Sequence, residues 1–102
     1  MIITSKKRAF LKKKAHDLVA IVRIGKEGYS ENIVQGIEDA IAHRELIKVK
    51  VLQNCEQETA EIAGKVAEAI NGEIVGIIGR TIILFKENKE KPTISLELKS
   101  VK

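Results

Sequence analysis

The chain has 102 residues, 44% hydrophobic, 31% charged and 3% aromatic, which suits one small core and excludes two. A single cysteine, Cys55, excludes a scaffold built on internal disulfides and fits a reducing, cytoplasmic setting. The net charge of +4 is modest, and no apolar run approaches the ~20 residues of a membrane span.

Thr4 or Ser5 offers a hydroxyl to cap a first helix, and Lys6 to about Asp17 are good helix formers. Phe10, Leu11, Ala15 and Leu18 recur at helical spacing and form its apolar stripe. Val19 to Ile24 is short, rich in β-branched residues and stops at Gly25, which predicts a buried strand. Gly25-Lys26-Glu27-Gly28 is a tight loop. Ser30 then caps a second helix with its core face at Ile33, Val34, Ile37, Ala40 and Ile41. Leu46 to Leu52 alternates, with Ile47, Val49 and Val51 on one side and Lys48 and Lys50 on the other, so a strand is expected. A third helix runs from about Gln57 to Asn71, where Asn71-Gly72 suits a left-handed end. Glu73–Ile78 and Thr81–Lys86 are strands joined by Gly79-Arg80, a type II′ hairpin signal.

The expected architecture is α/β, in the order α-β-α-β-α-β-β, with three helices on a mixed four-stranded sheet. The expected domain spans 1–87. Residues 88–102 read as a charged linker and tail, in which Ile94, Leu96 and Leu98 alternate as an edge strand or a partner-docking segment would.

Charge is unevenly placed. Residues 1–28 carry eight basic and two acidic side chains, a net +6, and the remainder is net −2. Such asymmetry points to a polyanionic partner. No catalytic set accompanies it. His16 and His43 stand apart, Cys55 has no CxxC partner, and neither a P-loop nor GxGxxG occurs. No enzyme activity, metal or other cofactor is expected.

The strand–Gly25-Lys26-Glu27-Gly28–helix unit is the local feature with a ligand chemistry. Glycines let backbone approach closely, the helix start favours anions, and Lys26 adds a charge at the tip. A GXXG loop of this kind clamps a nucleic-acid backbone in KH domains. Glu27 opposes phosphate unless it turns away. The basic first helix, with Lys6, Lys7, Arg8, Lys12 and Lys13, joins Lys48, Lys50 and Arg80 as candidate RNA contacts. Three aromatic residues are too few for a base-stacking platform, which favours RNA read by backbone and shape.

Four stretches, Thr4–Leu18, Val22–Ile33, Arg44–Cys55 and Ile77–Lys86, resemble the CRM domain (chloroplast RNA splicing and ribosome maturation). The likeness is strongest to its free-standing bacterial form, the YhbY-like proteins. The resemblance implies a fold similar to the C-terminal domain of translation initiation factor 3. It implies RNA binding without catalysis, on ribosomal RNA during large-subunit assembly, with the GXXG loop at Gly25–Gly28 and a basic helix at Lys6, Lys7, Arg8, Lys12 and Lys13. Lys14 departs from the family, which often has an apolar residue there. The alternative expectation is a protein-interaction module whose tail adds a strand to a partner's sheet.

Overall fold

The computed structural model describes residues 3–101. Helix α1 (Ser5–Ala15) starts at Thr4, whose side-chain oxygen accepts the Lys7 N–H at 3.2 Å. Strand β1 (Ala20–Ile24) leads through the glycine loop into α2 (Glu31–Arg44), capped by Ser30 Oγ on the Ile33 N–H at 3.2 Å. Strand β2 (Leu46–Val51), α3 (Thr59–Ile70), β3 (Glu73–Ile78) and β4 (Thr81–Phe85) follow in the expected order. Asn71 closes α3 in the left-handed region, at φ 56°. In the β3–β4 turn Gly79 takes φ 61° and Arg80 keeps a negative φ, the type II′ pattern.

The sheet order is β1-β2-β4-β3. β1 lies parallel to β2, and β4 runs antiparallel to both β2 and β3, so the sheet is mixed. Period-two alternation divides its side chains between two cores. On one face, Ile24, Ile47, Val49, Val51, Ile82 and Leu84 meet α2 and α3 through Ile37, Ile41, Ile62, Val66 and Ile70. On the other, Leu46, Val75, Ile83 and Phe85 meet α1 through Leu11 and Ala15.

Strand β1 is half of what the sequence suggests. It is an edge strand, buried on one face only: Val22 and Ile24 face the first core, while Ile21 and Arg23 are exposed.

The end of the chain corrects two expectations. Four helices form where three were expected, because Ile94–Leu98 is a short helix, α4, and not an edge strand. Ile94 and Leu98 are four apart, so a helical turn sets both against α1 and completes the second core. Leu96 is left 56% exposed. Nor is the segment after residue 87 a free linker. Lys14 Nζ meets Glu97 Oε1 at 2.9 Å, and Glu45 ties the preceding residues down.

Glu45 sits at the α2–β2 junction with φ 64° and is fully buried. Its Oε1 accepts from Thr93 N (2.8 Å), Thr93 Oγ1 (2.9 Å) and Ser95 N (2.9 Å). Its Oε2 accepts from Asn88 N (2.6 Å) and Ser95 Oγ (2.7 Å). Burial alone would raise its pKa. The donors from Ser95, Asn88 and Thr93 outweigh that and hold it at about 2.

Candidate nucleic-acid interface

The glycine loop is built by its neighbours. Gly28 takes φ 66°, a conformation that costs a side-chain-bearing residue about 1–2 kcal/mol. A Cβ there would also stand 2.3 Å from Gln57 Oε1. That oxygen accepts the Tyr29 N–H at 2.7 Å, and this use of Gln57 goes with α3 starting two residues later than periodicity suggests. Gly25 is different: its φ is ordinary, and a Cβ would meet Asn54 Oδ1 only at 3.5 Å.

Not every loop N–H is available to a ligand. The Gly28 N–H closes on the Gly25 carbonyl at 3.0 Å, and the Tyr29 N–H is held by Gln57. Among the described residues the N–H groups of Lys26 and Glu27 have no acceptor. Both side chains are exposed in the loop, which leads through Tyr29 and the Ser30 cap into α2. The loop therefore carries two free backbone donors and an ammonium, with the start of a helix just after it in the chain.

Strand register brings further cations to this end. Arg23 pairs with Lys50 across β1 and β2, and Lys50 pairs with Thr81, the neighbour of Arg80. The Arg80 guanidinium donates to the Leu52 carbonyl at 3.1 Å, which braces the hairpin against the β2–α3 loop. Lys50 and Arg80 line an open depression of about 520 Å³ with Leu52, Gln53 and Asn54. Leu52 and Asn54 also border Gly25, so the loop and the depression are contiguous. Among the described residues Arg23, Lys26, Lys50 and Arg80 form no ion pair.

Other candidates are engaged within the fold. The Arg8 guanidinium donates to the carbonyls of Ile74 and Val75 on β3. Lys48 is half-buried, and its Nζ donates to the carbonyl of Leu18 at 2.9 Å, closing the turn after α1. The stem of Lys12 lies over Gly76, where an added Cβ would stand 2.8 Å from Lys12 Cε. Lys6 and Lys13 are exposed, and Lys7 is half-buried. The first helix therefore spreads its charge around its circumference, and several of its cations serve the fold.

Arg23 is a candidate contact that the sequence did not single out. The signal was present, since Val22 and Ile24 are core residues and period two turns Arg23 outward. The β-branched run suggested burial on both faces and hid it.

No aromatic ring is left as a platform. Phe85 is buried, Phe10 lies half-buried beneath Lys14, and Tyr29 packs on the first core with Lys65 over its ring.

The sequence profile of the CRS1 / YhbY (CRM) domain matches residues 3–86. The chain belongs to the CRM domain family. Its relatives include a Bacillus subtilis protein named "Probable RNA-binding protein YqeI", 42% identical over 95 residues, spanning 93% of this chain and 99% of that one. A probable RNA-binding protein of Methanocaldococcus jannaschii is 38% identical over 86 residues, covering 82% of this CRM chain and 63% of the relative. Among solved structures, the solution structure of a hypothetical protein from Staphylococcus aureus is 40% identical. It superimposes with a TM-score of 0.72 over 90% of this chain and 100% of that one. The CRM profile ends before α4, so the Glu45 tether to residues 88–95 lies partly outside it.

Proposed function

We propose that this CRM domain binds structured RNA at the glycine-loop end of its sheet. The observation that carries the reading is that Lys26 in the loop and Arg80 in the hairpin turn are both exposed and form no ion pair among the described residues, beside two free loop N–H groups. The names of the relatives agree with it. Lys26 and the N–H groups of Lys26 and Glu27 hold one phosphate. Arg80 extends the contact over the depression beside it. Lys6 and Lys13 widen the field and speed encounter. Glu27 turns outward when phosphate is bound. The engaged aromatic rings favour recognition through backbone and 2′-hydroxyl groups over base stacking.

On this reading the target is ribosomal RNA during large-subunit assembly, in the cytoplasm, and the protein acts by binding without catalysis. The fold would then be of the kind found in the C-terminal domain of translation initiation factor 3. Titration of a folded ribosomal RNA fragment across a salt series tests the binding. Each phosphate-contacting lysine contributes about 1 to the slope of log affinity against log salt. Lys26→Ala with Arg80→Ala should lower that slope by about 2. An unchanged slope would refute the site. Crosslinking in cells followed by sequencing tests the target, and a spread over unrelated messages with no ribosomal peak would refute the assembly role.

A further inference from the structure

Helix α1 covers only part of its face of the sheet. Two successive rows of side chains lie under it. One row is Leu46 and Phe85, both in the second core. The next is Lys48, Ile83 and Gly76, where Ile83 is buried, Lys48 holds the turn after α1, and Gly76 carries the stem of Lys12. The third row has no cover. It reads Arg23, Lys50, Thr81 and Ile78 across the four strands. Arg23 and Lys50 are exposed, Thr81 is half-buried, and Ile78 is 65% exposed. Ile21, at the irregularity of β1, is also exposed.

This open row sits at the end of the sheet that carries the glycine loop, but on the opposite side. The loop runs into α2, within the α2–α3 layer. Arg23 and Lys50 project into the α1 layer, because Val22, Ile24, Val49 and Val51 beside them face the first core. Arg80, at the hairpin tip next to Thr81, lies between the two. The protein therefore offers cations on both sides of one sheet end.

We propose that the open row is a second RNA contact, carried by Arg23 and Lys50, and that loop and row together grip two backbone strands of one folded RNA. This rests on the RNA reading of the loop. Charge selects the occupant: two adjacent cations, unpaired among the described residues, complement a phosphate strand. Thr81 adds a hydroxyl suited to a ribose 2′-OH. Ile78, paired across from Thr81, adds an exposed apolar group on which a sugar edge can rest. The continuity with Arg80 and the depression beside Gly25 makes the footprint one surface. A single flexible strand can satisfy either side; a duplex or hairpin satisfies both.

The test compares a short RNA hairpin with a single strand of the same length, each titrated by anisotropy across a salt series. Arg23→Ala with Lys50→Ala should lower the hairpin's salt slope by about 2 and leave the single strand's slope less affected. Arg23→Lys with Lys50→Arg should restore the hairpin slope, since charge is kept. Both positions are exposed, so the thermal midpoint should not move. Unchanged hairpin slope and affinity in the alanine pair, while Lys26→Ala still weakens binding, overturn the second contact and leave the loop reading standing. Equal losses on both probes overturn the two-strand grip. A wild-type protein that binds neither probe refutes the RNA reading itself.

Discussion

Replacing Glu45 by glutamine removes one charge and little else. The side chain keeps its length, and the φ of 64° is as costly for glutamine as for glutamate. The amide oxygen can take the place of Oε1 and keep the donors of Thr93 and Ser95 N. The amide nitrogen then falls where Oε2 accepts from Asn88 N at 2.6 Å, and two donors face each other. Ser95 Oγ can rotate; the Asn88 N–H cannot. Losing a hydrogen bond to a charged, buried acceptor costs about 1.5–3 kcal/mol. Linkage gives a similar figure. A carboxylate lowered from 4.5 to about 2 stabilises the fold by about 3 kcal/mol when ionised. The sign follows from the lowered value. That stabilisation is complete above the unfolded-state pKa of 4.5 and is lost as pH falls toward the folded-state value near 2. Urea unfolding of wild type and Glu45→Gln, run from neutral pH down to about pH 3, measures the difference between them. It should be about 3 kcal/mol at neutral pH and shrink as acid is added. Equal stability at neutral pH, or a difference that does not change with acid, would refute the argument.

The two loop glycines separate folding from binding. Gly28→Ala should cost about 1–2 kcal/mol in chemical unfolding, because it demands a left-handed alanine and displaces Gln57. Gly25→Ala should change stability by less than about 0.5 kcal/mol yet weaken RNA binding, since its Cβ would stand against Asn54 and Leu52 at the edge of the depression. Wild-type affinity in Gly25→Ala would remove the case for close backbone approach. Arg8→Ala should lower stability by about 2 kcal/mol through the loss of two carbonyl contacts. Lys6→Ala, on the same helix but exposed, should leave the unfolding midpoint unchanged and reduce only the salt dependence of RNA binding.

What could be read without coordinates was whatever depends on neighbours in sequence. Alternation in Leu46–Val51, the helical stripe of α3, the Ser30 cap and the glycine of the β3–β4 turn are local signals, and all four elements formed accordingly. The tail was ambiguous for a local reason. Ile94, Leu96 and Leu98 fit period two, but Ile94 and Leu98 alone also fit a helical turn, and five residues are too few to choose. Glu45 gave no local sign, because its donors lie 43 to 50 residues away. Charge behaved in the same way. Sequence counts cations but not the groups that occupy them, so Arg8 and Lys48 read like Lys26 and Lys50 until the carbonyls they serve were seen.

The position of Arg8 bears on how copies of this chain behave in a crowded solution. β3 is one border of the sheet, and an unprotected border invites a strand from another molecule to extend it. Here a guanidinium already occupies the carbonyls of Ile74 and Val75, and the ladder is kinked between Ile74 and Gly76. An incoming strand would have to displace a bound cation and match an irregular register. The opposite border, β1, carries Arg23. Two copies meeting there would bring like charges together, so the side chain that suits a phosphate also discourages the protein from pairing with itself.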